Sequence, residues 1–378
     1  MIERVRVLII SNSDIGLYKL RKGIIQTLLN NNYEVFLSIP SGEHSNRFLA
    51  MGCVVDNFAI QRRGLNPIND LKLFFHYLRL VRRIIPTVVF SYTIKPNIYG
   101  GLVCKLLGVF QIANVTGLGD AVENPGLLQS LVLFLTKVAL KKTNVVFFQN
   151  IGNKHLYEQL SLVRPNQTRL IPGSGVNLKK YCRLGYPKVE DNVRLVFIGR
   201  IMKDKGIGEL VEAAIKVHSK YLYVTCDIVG PFEESNYRSV IESFVSSGAG
   251  KYLGLCDDIH ELLNNYHAVV LPSYHEGMSN VLLEAAATGR PVLASNVPGC
   301  RETFDEGISG FGFEPRSVDS LVQAIERFIA LSHEEKAEMG QAGRRKMERE
   351  FDRQIVVDAY MREIENILEE NNKKEKKK

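Results

Sequence analysis

The stretch HAVVLPSYHEGMSNVLLEAAATGRPVLASNVPGCRE, residues 267–302, decides the fold of this chain. It opens with a short apolar run that ends at Pro272, which is typical of a buried strand. Ser279 is then a candidate N-cap for a helix that stops at Gly289. A second apolar run over 291–295 predicts the next strand. A strand, a loop, a helix and another strand in this order indicate a parallel α/β sheet.

The predicted helix carries one carboxylate, Glu284, among residues that are otherwise apolar on every side. Such a helix is buried, and a buried carboxylate is costly unless it is paired or hydrogen-bonded. Glu276 lies in the preceding loop, where free N–H groups and the helix dipole favour an anion. Two acids beside an anion site suit a ligand with hydroxyls and phosphates, such as a nucleotide sugar. The alternative is that Glu276 caps the loop and Glu284 pairs with a buried lysine or arginine.

The composition is that of a globular protein with two domains of ordinary size. The chain has 378 residues, of which 45% are hydrophobic and 24% are charged. Its six cysteines are scattered without a C-x-x-C pair, and the N-terminus runs directly into a strand rather than a signal peptide. No run of about 18 apolar residues occurs that would span a bilayer. These features predict a reduced, cytoplasmic protein without disulfides or structural zinc.

Charge is divided unevenly between the two halves of the chain. Residues 1–185 hold 23 Lys and Arg against 9 Asp and Glu, whereas the remaining residues hold 25 against 32. The basic half is expected to meet something anionic, and nucleic acid, anionic lipid and a pyrophosphate-bearing substrate all qualify. No nucleic-acid motif or aromatic platform supports the first of these.

Two predicted helices in the basic half, over 70–83 and 127–142, are both amphipathic and basic. Helices of this kind lie on anionic membranes. The alternative for each helix is an apolar stripe that faces the core, flanked by solvated basic residues.

Strands and helices alternate along the chain, which predicts two doubly wound parallel sheets in tandem. We expect a first Rossmann-like domain over 1–182, a linker over 183–192 and a second Rossmann-like domain over 193–350. A helix over 352–370 is long enough to return to the first domain, and the basic tail 371–378 is expected to be disordered. The two domains are expected to face a cleft, since ligands bind at the carboxyl ends of such strands.

The individual elements follow from the same alternation of patterns. The predicted strands lie near 5–11, 35–39, 54–59, 87–92, 110–116, 144–149, 193–198, 222–229, 251–254, 268–271, 291–295 and 308–313. The predicted helices lie near 17–31, 43–51, 68–84, 97–107, 126–142, 207–218, 236–246, 258–265, 280–289, from 318, 333–349 and 352–370.

A second set of candidate ligand-binding residues follows the predicted strand 193–198. Gly199 permits close approach of the backbone to a ligand. Arg200 offers a planar fork of donors and Lys205 a point charge, which together suit a diphosphate. This pattern alone is weak, and an ordinary turn between strand and helix is the alternative. It gains weight because this strand end and the Glu276 loop fall at the same edge of one sheet.

Four segments resemble family 4 of the retaining glycosyltransferases, which have the two-domain GT-B fold: GRIMKDKG (199–206), DDIHELL (257–263), LPSYHEGMSNVLLEAAATGRPVLAS (271–295) and PGCRE (298–302). The resemblance covers nearly the whole chain and is most specific over 193–315. In the first domain, SYTIKPNIYG (91–100) and NVTGLGD (114–120) resemble a bacterial subgroup that extends undecaprenyl-diphosphate-linked sugars.

The resemblance implies roles for the matching residues of the second domain, with Glu276, Arg200 and Lys205 as the catalytic set. Arg200 and Lys205 are implied to hold the donor diphosphate and the charge that develops on the leaving UDP. Glu276 is implied to hold the donor sugar's hydroxyls, Glu284 the ribose hydroxyls, and Ile259 to flank the base. Further donor contacts are implied at Gly199 and at the backbone N–H groups of Gly277, Met278, Ser279, Asn280 and Val281.

The acceptor is expected to sit against the first domain, where Gly16, Lys95 and Thr116 are the predicted contacts. Lys95 follows a predicted strand and is expected to meet the lipid diphosphate; the alternative is an ordinary surface lysine. Many family members present a histidine in the loop that corresponds to 114–120. This chain has none there, so no catalytic histidine is assigned.

These inferences predict a retaining glycosyltransferase that moves a hexose or an N-acetylhexosamine from a UDP-sugar to a saccharide acceptor linked to undecaprenyl diphosphate. No metal or other cofactor is expected, because Arg200, Lys205 and a helix N-terminus supply positive charge and the sequence lacks Asp-x-Asp. The protein is expected to be peripheral on the cytoplasmic face of the membrane and to bind no nucleic acid. The alternatives are a UDP-sugar epimerase of the same fold, a phosphorylase and a non-catalytic nucleotide-sugar-binding protein.

Overall fold

The chain forms two compact units, each built on its own parallel sheet. The first comprises Met1–Ser174 together with Gln354–Lys378, and the second comprises Gly175–Arg353. The predicted α/β class with two doubly wound sheets is therefore confirmed. The computed structural model of the protein describes residues 4–59, 66–117, 126–188 and 192–375.

The sheet of the first unit has seven described strands, all paired in parallel: β1 (Arg6–Ile10), β2 (Glu34–Ile39), β3 (Val54–Asn57), β4 (Val88–Tyr92), β5 (Phe110–Val115), β6 (Val145–Phe148) and β7 (Thr168–Leu170). Their order is β3-β2-β1-β4-β5-β6-β7. The central strands are continuous apolar runs because helices cover both faces of the sheet. The order reverses between β1 and β4, and ligands of such sheets bind at this switch point.

The helices of the first unit begin where the sequence supplies caps. Side-chain oxygens of Ser13, Asn66 and Asn150 accept hydrogen bonds from backbone N–H groups of the first turn that follows each of them. A π-helical turn, Pro96–Gly100, precedes the fourth helix. The helices are Asp14–Asn30, Ser45–Ala50, Pro67–Ile84, Gly101–Leu107, Leu127–Leu140 and Ile151–Gln159.

The last helix of the chain, Arg353–Glu375, contributes to the core of the first unit. Its buried residues recur every three to four positions and so form one face of the helix. These residues are Val356, Tyr360, Ile364 and Ile367. The helix extends past the predicted end at 370, so residues 371–375 of the predicted disordered tail are helical, and 376–378 lie outside the described residues.

The sheet of the second unit has five described strands: β8 (Val193–Ile198), β9 (Val224–Val229), β10 (Ala268–Leu271), β11 (Val292–Ser295) and β12 (Gly310–Phe313). Their order is β12-β11-β10-β8-β9, again all parallel. The helices of this unit are Ile207–Lys220, Arg238–Ser246, Ile259–Leu263, Asn280–Ala287, Val318–Ile329 and His333–Glu350. Across the described helices of both units, none combines sufficient length with the hydropathy that a membrane span requires.

The structure corrects the predicted elements in three places. The predicted strand 251–254 is reduced to an isolated bridge between Tyr252 and Ile228, and it stops at Gly254, which has a φ of +68°. The helix Ile151–Gln159 was missed because it is short and lacks an apolar stripe. β7 was missed because it has only three residues, of which two are exposed.

The boundary between the units lies earlier than predicted, after Ser174 rather than after residue 182. The described part of the predicted linker packs on the second unit instead of running free. The Leu184 N–H donates to the Thr288 carbonyl oxygen at 3.0 Å, and Arg290 Nη2 donates to the Gly185 carbonyl oxygen at 2.7 Å. Residues 189–191 of the predicted linker lie outside the described residues.

Candidate functional site

The loops that follow β8 and β10 lie side by side because the two strands are parallel neighbours. Gly206 allows this approach: its φ is +66°, and a Cβ there would lie 2.1 Å from the Pro272 carbonyl oxygen, so no other residue fits. The Tyr274 N–H also donates to the Asp204 carbonyl oxygen at 2.9 Å. The two loops that carry the predicted site residues are therefore fixed to each other.

Lys205 and Glu276, which were predicted from separate motifs, form an ion pair between Nζ and Oε1. Ser273 Oγ donates to the same carboxylate oxygen at 2.9 Å, so Glu276 also holds its own loop. The two side chains retain 18% and 15% of their exposure. An ammonium and a carboxylate at one partly open position can bind a phosphate oxygen and a hydroxyl group, respectively.

The helix Asn280–Ala287 begins directly beside this ion pair. Its N-cap is Ser279, whose hydroxyl accepts from the Leu282 N–H. Gly299 lies against the same loop: its φ is +84°, and a Cβ there would lie 2.6 Å from the Glu276 carbonyl oxygen. Gly299 therefore holds the Glu276 loop at the start of this helix, and the first turn of a helix favours an anion.

One of the predicted backbone contacts needs correction. The Ser279 N–H donates to the Gly299 carbonyl oxygen at 2.8 Å, so it is already engaged within the protein. The Ser279 hydroxyl caps the helix. The predicted backbone contacts of Gly277, Met278, Asn280 and Val281 stay predictions.

Arg200 lies at the carboxyl end of β8, on the edge that also carries Lys205. Its Nη1 is 3.4 Å from Glu233 Oε1, and its side chain is about half exposed, at 49%. The Gly199 carbonyl oxygen packs against Gly230, where a Cβ would lie 1.8 Å from it, and the approach of Gly199 to a ligand stays a prediction. The guanidinium is therefore accessible at the edge where a diphosphate was predicted to bind.

Glu284 is half-buried on the helix Asn280–Ala287, beside a residue that sequence reasoning missed, Tyr181. Tyr181 is buried with Met278 and Leu283 in one apolar cluster, and the partly buried Ile259 packs against that cluster. Burial raises the pKa of Tyr181, and the hydrogen-bonded Glu284 carboxylate raises the same pKa further. Tyr181 escaped prediction because it lies in a polar, glycine-rich segment with no periodic pattern.

Cys300 is a further residue beside the ion pair that the sequence did not single out. It is fully buried. Burial raises the pKa of the thiol well above its usual value, and the nearby Glu276 carboxylate adds to this effect. Cys300 therefore remains a protonated thiol and supplies packing rather than a nucleophile. Within the described ranges, no three His, Cys, Asp or Glu side chains come together as a metal site requires.

The predicted acceptor residue Lys95 is buried in the first unit. It is 8% exposed, and its Nζ lies 2.8 Å from Asp70 Oδ1. The Tyr99 hydroxyl bonds to the same carboxylate, and burial followed by the charge of Asp70 raises the pKa of Tyr99. The alternative of a surface lysine is therefore wrong. The acceptor role of Lys95 stays a prediction. The charge of this lysine is already balanced by Asp70.

Gly16 and Thr116 lie at the same edge of the first sheet as Lys95, because all three follow the carboxyl ends of neighbouring strands, β1, β4 and β5. The Gly16 N–H donates to Ser13 Oγ at 3.0 Å in the first turn of its helix. Thr116 is half-buried, and the rest of its predicted loop, 118–120, lies outside the described residues. The structure thus brings the three predicted residues to one edge without assigning them a ligand.

Comparisons with known proteins cover most of the chain. Residues 6–150 match the family described as "Glycosyl transferase 4-like", and residues 184–346 match the family described as "Glycosyl transferases group 1". The N,N'-diacetylbacillosaminyl-diphospho-undecaprenol alpha-1,3-N-acetylgalactosaminyltransferase of Campylobacter jejuni is 27% identical, over 96% of this chain and 99% of its own length. The capsular polysaccharide biosynthesis glycosyltransferase CapM of Staphylococcus aureus is 26% identical, over 93% and 95%, respectively.

A solved structure shares the fold of the whole chain. The crystal structure of Anabaena HepE in complex with UDP-glucose has a TM-score of 0.78 to this chain at 17% sequence identity. The match covers 97% of this chain and 100% of that one. The likeness extends through both sheets and confirms the predicted two-domain architecture.

Proposed function

The chain belongs to the glycosyltransferases that join a glycosyl transferase 4-like domain to a group 1 domain in the GT-B fold, and from that premise we propose that it transfers a hexose or an N-acetylhexosamine from a UDP-sugar to a saccharide linked to undecaprenyl diphosphate. The observation that carries the proposal is the Lys205–Glu276 pair beside the N-terminus of the helix Asn280–Ala287. The acceptor class is supported by the Campylobacter relative, whose name specifies a diphospho-undecaprenol.

The donor half of the reaction falls to the second unit. As the bond between C1 of the sugar and the phosphate oxygen loosens, positive charge grows on the ring and negative charge on the β-phosphate. Arg200 and Lys205 are proposed to bind that phosphate, with Lys205 turning from Glu276 toward the ligand. One preorganised donor of this kind contributes about 3 kcal/mol to the barrier reduction. The proposed chemistry draws its positive charge from these side chains and the helix N-terminus, without a metal ion.

The Glu276 carboxylate is proposed to accept hydrogen bonds from the hydroxyls of the donor sugar, while Glu284 accepts from the ribose. Transfer is proposed to occur with retention, so the acceptor hydroxyl attacks from the face that the phosphate leaves. An oxygen of the departing phosphate takes the acceptor proton, which balances the step as UDP and the extended saccharide.

The acceptor is proposed to bind the first unit at the edge that carries Gly16, Lys95 and Thr116. This unit is net positive whereas the second unit is net negative, which suits a lipid diphosphate. Lys95 is already paired with Asp70. In the proposed contact the diphosphate would be a second anion beside a lysine whose charge is already balanced. Lys95 is therefore the weakest of the proposed contacts.

Two helices of the first unit support a peripheral position on the cytoplasmic face of the membrane. On Pro67–Ile84 the exposed apolar residues are Ile68, Leu71 and Phe75, beside the exposed Lys72 and Arg79. On Leu127–Leu140 they are Leu127, Leu131 and Phe134, beside the exposed Lys137. Apolar side chains with a basic margin match the surface of an anionic bilayer.

Product analysis tests the enzymatic proposal. The protein is incubated with each of UDP-glucose, UDP-galactose, UDP-N-acetylglucosamine and UDP-N-acetylgalactosamine, with and without a polyprenyl-diphosphate saccharide. The products are separated by chromatography that resolves epimeric UDP-sugars, which have equal mass, and are then identified by mass spectrometry. The expected result is an acceptor heavier by one sugar residue and one UDP for each transfer. An epimerised free UDP-sugar, or nucleotide-sugar binding without turnover, would overturn the proposal.

Vesicle sedimentation tests the membrane position. The protein is expected to sediment with vesicles that contain anionic lipid and to bind neutral vesicles more weakly. Phe134→Glu is expected to reduce this binding. Leu222→Glu is the control, because Leu222 is an exposed apolar residue of the second unit, at 76% against 61% for Phe134. Equal loss in both variants would contradict the assigned surface.

A further inference from the structure

The backbone of Tyr181 is linked to the helix that carries Glu284 by a single arginine side chain. Arg344 Nη1 donates to the Tyr181 carbonyl oxygen at 2.7 Å and to the Ala287 carbonyl oxygen at 2.7 Å. Ala287 is the last residue of the helix Asn280–Ala287. One guanidinium thus holds the segment around Tyr181 against the end of this helix, and the position of Tyr181 relative to Glu284 is fixed.

The side chain of Tyr181 is held as firmly as its backbone. Only 6% of the residue is exposed, and it packs with Met278, which precedes the same helix, and with Leu283, which lies within it. The ring centroid lies 6.2 Å from that of His260 in an edge-to-face arrangement. The hydroxyl is directed at the Glu284 carboxylate.

Two further charged groups act on the Tyr181 hydroxyl besides Glu284. Arg353 is a positive neighbour and Asp258 is a negative one. Asp258 caps the helix that begins at Ile259, with its Oδ1 accepting from the His260 N–H at 3.0 Å. The tyrosine therefore stands where the predicted base-flanking segment and the predicted ribose-binding helix come together.

We propose that Tyr181 is a positioning residue for Glu284, whose carboxylate it orients to accept hydrogen bonds from the ribose of the UDP donor. The inference rests on the proposed function and adds to it a residue that no motif contains. A carboxylate has about four lone-pair sites, so one bond from a phenol leaves room for both ribose hydroxyls. A glutamate that is oriented before the ligand arrives loses less conformational entropy on binding.

The Tyr181→Phe variant tests this role because it removes the hydroxyl and keeps the ring. We expect the Kd for UDP and the KM for the donor to rise about tenfold, as for loss of one hydrogen bond to a charged group. The kcat at saturating donor is expected to change much less. UDP binding is measured by calorimetry, and the KM and kcat by UDP release.

Tyr266→Phe is the matched control for a purely structural effect. The Tyr266 hydroxyl donates to Asp227 Oδ2 at 2.7 Å, so this variant also deletes a buried bond from tyrosine to carboxylate in the second unit. Tyr266 precedes β10, at the amino end of the strands, away from the predicted donor site. We expect a similar loss of thermal stability in both variants and an unchanged Kd for UDP in Tyr266→Phe.

A nucleotide without ribose hydroxyls separates positioning from general damage. If Tyr181 acts through Glu284 on the ribose, Tyr181→Phe weakens UDP about tenfold and leaves the affinity for 2′,3′-dideoxy-UDP nearly unchanged. Adding Glu284→Gln to Tyr181→Phe is expected to cost less than the sum of the two single changes.

The possible outcomes distinguish this inference from the function on which it rests. Equal weakening of UDP and dideoxy-UDP would overturn the positioning role, as would unchanged UDP binding in Tyr181→Phe. A wild-type protein that binds no UDP would instead overturn the proposed donor class, and the inference with it.

Discussion

Each unit places a lysine–carboxylate pair at the carboxyl edge of its sheet, and the two pairs differ in what surrounds them. Lys95 and Asp70 are 10% and 8% exposed at their side chains and share the carboxylate with Tyr99. Lys205 and Glu276 are more open and lie beside a helix N-terminus. A lysine after a buried strand is thus not evidence of a binding site by itself. The exposure of the lysine–carboxylate pair and the groups around it determine whether it can bind a ligand.

The largest expected effect is on stability, in the first unit. Lys95→Ala leaves Asp70 buried without its cation, and breaking such a pair costs about 3–5 kcal/mol of unfolding free energy. Urea denaturation followed by circular dichroism measures this loss. Replacing both partners, in Lys95→Met with Asp70→Leu, is expected to recover much of it, because an apolar pair of similar volume leaves no unpaired charge.

The same variants test the predicted acceptor role of Lys95. If Lys95 meets the lipid diphosphate, folded Lys95→Ala protein loses use of the lipid-linked acceptor and keeps its affinity for UDP. Equal loss of acceptor use and of UDP affinity would contradict the acceptor role of Lys95 and leave the Lys95–Asp70 pair as a structural element. The double variant is the better protein for this measurement, because its expected recovery of stability separates loss of function from loss of folding.

The next largest effect is on turnover, in the second unit. Lys205→Ala is expected to lower kcat about 100- to 1,000-fold, as expected when one donor to a developing oxyanion is lost. Its stability is expected to change less than that of Lys95→Ala, since Glu276 keeps its bond from Ser273 and some contact with water. Steady-state rates at saturating donor and acceptor measure the effect.

Lys203→Ala is the control for Lys205→Ala. Lys203 belongs to the same short helical turn, Lys203–Lys205, and is exposed. Removing it deletes a positive charge of the same turn without touching Glu276, so kcat is expected to stay near that of the wild type. Similar losses in both variants would mean that only the overall charge of the turn matters.

The sequence predicted the edge of the second unit well because its parts are local. β8 is apolar from Leu195 to Ile198 and β10 is apolar throughout. The two strands are parallel neighbours with their carboxyl ends together, which is enough to place Lys205 near Glu276. Tyr181 and Asp70 had no such signal. Each reaches its partner, Glu284 or Lys95, from a segment far along the chain, and such contacts depend on packing that no periodicity encodes.

The smallest expected effect is on the rate at which a maleimide labels the cysteines of the two units, with and without nucleotide. Cys182 follows Tyr181, is exposed, and has its Sγ 3.4 Å from His260 Nε2. Cys53 and Cys104 of the first unit are buried, and burial raises their pKa to about 11 and about 12, respectively. A thiol reacts as its thiolate, so N-ethylmaleimide is expected to label Cys182 first in the folded protein.

UDP is then expected to slow the labelling of Cys182 several-fold, because the nucleotide would cover the place where Tyr181 and Cys182 contact His260. Labelling of Cys53 and Cys104 in the first unit is expected to stay slow and unchanged. Peptide mass spectrometry of maleimide adducts over time, with and without UDP, measures both. Protection in the first unit but not at Cys182 would place the nucleotide at the wrong sheet and reverse the assignment of donor and acceptor edges.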